Sequence, residues 1–204
     1  MRIVRHYTNH SIGHYTMRHW TCLSAQRFAD AEYSLVPIAP SHIEPIRKWR
    51  NAQLSVLRQK EPITERQQID YFSQHIWPTM SLPQPPNILM GFLQNDRLIG
   101  YGGLVHIDWE HRRAEISFLL DDARAGDDAR YAKEFLAFLK LVRQLGFEDL
   151  KLHRLFTETY AMRTHHISVY DSFGLQLEGV LRDHVRIGDQ YVHSLIHGII
   201  ASHE

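Results

Sequence analysis

The sequence has a single cysteine, Cys22, among 204 residues, so no intramolecular disulfide can form and a disulfide-built fold is excluded. It has no surplus of either charge. Its 23 Lys and Arg are matched by 23 Asp and Glu, which removes the basic excess on which nucleic-acid binding usually rests. It has no apolar run approaching the ~20 residues that cross a bilayer. The first thirty residues are rich in His, Arg, Tyr and Thr and lack the apolar segment of a secretory signal. It also has no internal repeat. These absences point to a cytoplasmic protein without membrane or nucleic-acid partners.

What is present suits one folded domain. Hydrophobic residues make up 44%, enough for a substantial core. Histidine is frequent, and His6, His10, His14 and His19 crowd the start of the chain. Their spacing matches no zinc pattern, so no metal is expected. Residues 1–32 read as an N-terminal arm, and 33–204 as the domain.

The pattern of apolar residues predicts the elements. Tyr33–Ile38 is a strand stopped by Pro37 and Pro40. A helix follows, capped by Ser41 with Glu44 completing a capping box, and it buries Ile43, Ile46 and Trp49. A second helix over Thr64–Ile76 is capped by Thr64 and Gln67 and carries Ile69, Phe72 and Ile76 at spacings that fit one face. The proline-rich stretch Trp77–Asn87 reads as a loop. Ile88–Leu93 and Leu98–Ile107 form a hairpin, and Ala114–Leu120 a further strand. A long helix covers about Ala129–Leu145, with Ala132, Phe135, Leu136, Leu139 and Val142 inward and Gly146 as its stop. Leu152–Tyr160, a short helix over His165–Phe173, and strands Leu175–Ile187 and Tyr191–Ile200 complete the chain. A strand–helix–strand unit after antiparallel strands gives a mixed α/β (α+β) architecture: a mostly antiparallel sheet of about 6–7 strands flanked by about four helices.

The C-terminal text adds a resemblance. Val169-Tyr170-Asp171-Ser172-Phe173-Gly174-Leu175, followed by Leu177-Glu178-Gly179-Val180-Leu181-Arg182, is similar to the helix end and following strand of the GNAT acetyltransferase superfamily. Leu152-His153-Arg154-Leu155 and Ile99-Gly100 fit the same pattern. Within the superfamily the text resembles the branch that acetylates ribosomal-protein N-termini. It also carries features of nucleotide-sugar amine acetyltransferases: Trp49-Arg50-Asn51 and Ile107-Asp108-Trp109-Glu110-His111. Leu175, where the family has an aromatic, is a mild departure.

The resemblance implies the GNAT fold and transfer of an acetyl group from acetyl-CoA to a primary amine. That amine would belong to a small molecule such as a nucleotide sugar, or to a peptide N-terminus. Tyr170 stands where the family places the donor of a proton to the thiolate, and a phenol of pKa near ~10 suits that task. Glu115 stands on the strand that often carries the acceptor of the amine proton; its alternative is a solvated strand face. Ile116, Phe118 and Leu119 on that strand would line the slot for the pantetheine arm.

The phosphate loop departs from the family. At Asp127-Asp128-Ala129-Arg130-Tyr131-Ala132 only Ala132 fits the R/Q-x-x-G-x-G/A pattern, and two aspartates oppose phosphate binding. Arg124, Arg130 and Lys133 would have to compensate, or the domain is a non-catalytic binding module. Arg163 and His166 replace the Asn and Ser that touch CoA in the family. Arg50, Asn51, His106 and Trp109 are the candidate substrate contacts. Tyr191–Ile200 is the candidate edge for a homodimer.

Overall fold

The structure, a computed structural model, describes residues 18–54, 57 and 59–201. Its strands are β1 (Phe28–Asp30), β2 (Tyr33–Pro37), β3 (Ile88–Gln94), β4 (Arg97–Asp108), β5 (Arg113–Leu120), β6 (Arg154–Tyr160), β7 (Gln176–Ile187) and β8 (Gln190–Ile200). Its α-helices are α1 (Ile43–Ala52), α2 (Glu65–Tyr71), α3 (Asp122–Ala125), α4 (Asp128–Arg143) and α5 (Thr164–Phe173). The strands form one sheet in the order β1-β2-β3-β4-β5-β6-β8-β7. All neighbours are antiparallel except β5 and β6. The mixed, mostly antiparallel architecture is the expected one, with eight strands rather than 6–7 and five α-helices rather than four among the described residues. The additional strand, β1, has only Phe28 as an apolar anchor, and the additional helix, α3, is one polar turn.

Side-chain alternation sorts the sheet into two faces. Phe92 of β3 and Phe118 of β5 point to α4, where they pack against Phe138 at ring-centroid distances of 5.5 and 4.5 Å. Phe118 also stacks on Phe135 at 4.4 Å. Leu89, Tyr101, Val105 and Ser117 point the other way, toward α1 and α2. Gly102 lets β4 lie close to its neighbours. A Cβ there would come within 2.1 Å of the Ser117 carbonyl oxygen and 2.8 Å of Phe138 Cζ. Backbone and a buried ring cannot retreat as a surface side chain can. Gly102→Ala is therefore expected to destabilise the protein by about 1–3 kcal/mol, an overpacking cost. Thermal unfolding should show it as a Tm lowered by about 2–4 °C for each kcal/mol.

Local signals fared unevenly. Thr64 and Gln67 form the expected box: Thr64 Oγ1 accepts from Gln67 N–H (3.2 Å), and Gln67 Oε1 accepts from Thr64 N–H (2.9 Å). The Ser41–Glu44 box does not form. Pro40 opens a 3-10 turn over Pro40–His42, His42 Nδ1 accepts from Ala39 N–H (3.2 Å), and Glu44 pairs with Arg47 (2.7 Å). The second helix changes to a π-helical turn at Phe72–Ile76, and the proline-rich segment opens with a 3-10 turn, Trp77–Ser81. Gly146 does not stop the long helix, which continues as a π-helical turn over Gln144–Asp149 while Leu155 packs onto the bare glycine.

Strand β8 is not an edge. It lies between β6 and β7, so the free edge at that end of the sheet belongs to β7, where Leu177, Val180 and Leu181 are exposed. Of residues 1–32, those from 18 onward are described. Trp20 is fully buried, its indole N–H donating to the Leu89 carbonyl (3.1 Å), and β1 pairs with β2. His6, His10 and His14 lie outside the described residues. Among the described residues no group of three or more His, Cys, Asp or Glu could hold a metal ion, and no helix is long and apolar enough to cross a membrane.

Candidate active site

The sheet opens at its one parallel junction. β5 and β6 pair only at Arg113–Arg154, Ala114–Leu155 and Glu115–Phe156. Beyond Glu115 the strands diverge, and a cleft of about 200 Å³ lies in the gap. Glu115, Ile116, Ser117 and Phe118 line one wall; Glu158 and Thr159 of β6 line the other, with Arg163, His166 and Tyr170 of the α5 segment. Arg50, Val105 and Ser117 belong both to this cleft and to an adjoining pocket of about 310 Å³ under α1 and α2.

Glu115 and Tyr170 reach the gap from opposite faces. Glu115 pairs in register with Val105, on the α1–α2 face. Beside it β4 bulges: His106 and Ile107 stand opposite the single residue Ala114, and His106 takes φ +50. Asn87 Oδ1 accepts from His106 N–H (3.0 Å), and the Pro86 carbonyl accepts from Ile107 N–H (2.9 Å). The bulge turns the exposed His106 ring so that Nδ1 lies 2.8 Å from Glu115 Oε2. Past it, Asp108 accepts from His111 N–H and pairs with Arg113 (3.1 Å), which lowers its carboxyl to about 2.

Tyr170 comes from α5, which packs on α4. The helix ends where Gly174 takes φ +96 and donates to the Tyr170 carbonyl (3.0 Å). Tyr170 is buried, and burial raises its pKa above the usual phenol value. Its hydroxyl lies 2.7 Å from His166 Nε2 and accepts from Thr159 Oγ1 at 3.4 Å. His166 Nδ1 is bonded to the Tyr131 hydroxyl. Burial, then the nearby Arg163, holds His166 well below the usual imidazole range, so its ring is neutral.

Other candidates stand elsewhere. Leu119 is buried in the core, and Ala132 packs against it. Arg124 is turned away from the cleft to Glu134 and Gln94. Asp127 caps α4 by accepting from Arg130 N–H (3.1 Å), with the Arg130 guanidinium 3.9 Å from the same carboxylate. Asn51 holds the loop before α2: Oδ1 accepts from Ile63 N–H (2.8 Å), and Nδ2 donates to the Ile63 carbonyl (2.9 Å). Trp109 donates its indole N–H to the Pro85 carbonyl (2.9 Å), pinning the proline-rich loop. Between the starts of α4 and α5 lies a third pocket, lined by Asp128, Tyr131, Arg163, Thr164, His165 and His166 among others. Sequence reasoning missed Tyr71, Tyr101, Gln67 and Gln68 in the pocket under α1 and α2. Tyr101, the lone large side chain in Gly100-Tyr101-Gly102-Gly103, was the available signal.

Known proteins share this fold. An uncharacterized N-acetyltransferase of Bacillus licheniformis, p20, is 35% identical over 107 residues, covering 50% of this chain and 57% of that protein. The chain thus aligns with little more than half the length of that curated relative. The crystal structure of spermidine N-acetyltransferase from Vibrio cholerae in complex with CoA and spermine superposes with a TM-score of 0.73 at 17% identity, covering 84% of this chain and 96% of that one. A dodecameric structure of that enzyme gives 0.69 at 17% identity, over 84% and 95%. At such identities the likeness is one of fold. Residues 35–196 match the acetyltransferase (GNAT) domain, and the chain belongs to that family.

Proposed function

We propose that the protein is an N-acetyltransferase that moves an acetyl group from acetyl-CoA to the primary amine of a small, anionic molecule. The observation that carries this is the cleft between β5 and β6, with Glu115 and Tyr170 on its walls. The diverging strands suit the pantetheine arm, with Ile116 and Phe118 beside it. The family's phosphate loop does not fit as it stands, because the Asp127 carboxylate takes the Arg130 N–H. The phosphates would instead meet the pocket between α4 and α5, where the Arg163 guanidinium and the Thr164 hydroxyl supply donors against the single carboxylate of Asp128. When bound, acetyl-CoA supplies an activated thioester. Glu115 takes the proton of the incoming ammonium, and His106 connects it to solvent. Tyr170 holds a proton for the departing sulfur.

The acceptor class rests on Arg50. Its Nε donates to Gln59 Oε1 (2.9 Å) and its Nη1 to the Tyr101 hydroxyl (2.8 Å). A guanidinium has five N–H groups, so donors remain for a ligand. Arg50 is the only formally charged residue among the described residues lining the pocket under α1 and α2; Tyr71, Tyr101, Gln67 and Gln68 supply polar and aromatic surface. A polycation such as spermidine meets no carboxylate there. A phosphate- or carboxylate-bearing amine, for example a nucleotide-linked amino sugar, meets a guanidinium and aromatic rings.

Thiol release from acetyl-CoA, measured across nucleotide-linked amino sugars, amino acids, N-terminal peptides and spermidine, tests the reading. Anionic small amines are expected to turn over best, and Arg50→Ala to raise their KM about 10-fold or more, the worth of one charged hydrogen bond. Preferred turnover of spermidine, unaffected by Arg50→Ala, would reject this acceptor class. For a homodimer, the pairing edge is that of β7.

A further inference from the structure

Tyr131, Arg163 and His166 converge behind Tyr170. His166 is buried, and its ring stacks on Phe135 with centroids 4.4 Å apart. Tyrosine hydroxyls engage both of its nitrogens: that of Tyr131 at Nδ1, that of Tyr170 at Nε2. Chemistry sets the direction of this chain. A guanidinium only donates hydrogen bonds, and Arg163 Nη2 faces His166 Nδ1 at 3.4 Å. A proton on Nδ1 would point at that cation. Nδ1 is therefore the acceptor, and it takes the hydrogen bond of the Tyr131 hydroxyl. The single proton of the neutral ring then sits on Nε2 and is donated to the Tyr170 oxygen. Thr159 Oγ1 donates to the same oxygen. With two donors on its oxygen, the Tyr170 proton is directed away from both of them.

We infer that Tyr131 and His166 are positioning residues, whose hydrogen-bond chain fixes the Tyr170 hydroxyl so that its proton faces the cleft between β5 and β6. The inference rests on the reading of Tyr170 as the acid. In the step concerned, the Tyr170 O–H bond breaks and an S–H bond forms on the leaving thiolate. The phenolate left behind keeps the Nε2–H and Thr159 hydrogen bonds, and regains its proton from water after the thiol departs. A family member with a small residue at position 166 would lack this link. Here the imidazole spans the space between two tyrosines separated by the width of one side chain.

A double-mutant cycle on the full-length protein tests the inference. His166→Phe keeps the stack on Phe135 and removes both hydrogen bonds. It is expected to lower kcat about 10-fold or more, part of the 10²–10⁴ that a placed acid supplies, with KM for acetyl-CoA within about twofold. His166→Gln, which can accept at one atom and donate at another, is expected to recover most of the loss. In a Tyr170→Phe background, His166→Phe should add nothing. Tyr131→Phe, which removes only the donor to Nδ1, should show a smaller loss of the same kind and serves if His166→Phe fails to fold. If His166→Phe slows the Tyr170→Phe enzyme as much as it slows the wild type, the inference fails and the Tyr170 reading stands. If Tyr170→Phe alone leaves kcat unchanged, the Tyr170 reading itself fails.

Discussion

Tyr170→Phe is expected to lower kcat by about 10²–10⁴-fold while changing the KM of either substrate by less than about twofold. The ring packs against Phe135 at 5.4 Å and His197 at 5.5 Å. Phenylalanine keeps those contacts, so the change isolates the hydroxyl. The direction of proton transfer makes the environment matter. A phenol near ~10 protonating a thiolate near ~8.5 runs uphill even in water, and burial pushes Tyr170 higher still. What works against that is hydrogen bonding to the phenolate, from Thr159 Oγ1 and His166 Nε2, and the positive charge of Arg163, which also favours the ionised form. Single-turnover thiol release at saturating acetyl-CoA and amine separates chemistry from product release. A wild-type rate in that experiment would move the acid to another group. A raised KM at normal kcat would make Tyr170 a binding residue.

How far the sequence anticipated this molecule depends on the range of the forces concerned. Thr64 and Gln67 are three residues apart, and their capping box was legible because a helix start is a local event. The Ser41–Glu44 box, equally plausible as text, lost to Pro40, which opened a tighter turn first and left His42 to bond Ala39. The long helix and the hairpin were legible from periodicity. The place of β8 was not: nothing in Tyr191–Ile200 says that the preceding strand passes outside it, since strand order depends on the whole sheet. Around the cleft, the resemblance drew attention to Glu115 and Tyr170, and both line it. Their partners were beyond reach. The His106 ring reaches Glu115 only because a bulge inserts a residue into β4. Tyr131 and His166, 35 residues apart in sequence, meet from two different helices. Arg124, read as a phosphate ligand by its proximity to the loop, turns inward because Glu134, buried on α4, needs a cation.

Glu115→Gln is expected to lower kcat/KM by about 10²-fold or more near pH 7, with a defect that shrinks as pH rises. An acceptor amine enters mostly as its ammonium, since an α-amine has a reference pKa of ~7.7–8.0 and an alkylamine ~10.4. A base in the cleft matters most where free amine is scarce. As pH climbs toward the amine pKa, water does the same work and the ratio of wild-type to variant rates should fall toward one. Glutamine preserves the shape of the side chain and an oxygen facing His106 Nδ1, now 2.8 Å from Oε2, so the bulge should remain and the loss should be one of basicity. The measurement is kcat/KM for both proteins from about pH 7 to 9.5 with an acceptor of known pKa. A ratio that stays constant across the range would mean that Glu115 acts by holding His106 and the amine in place. A ratio near one throughout would mean that the proton leaves by another route. A ratio that converges with pH ties proton removal to the carboxylate. It would also explain why the chain bends β4 at this point: the bulge sets an exposed imidazole between a buried carboxylate and the solvent.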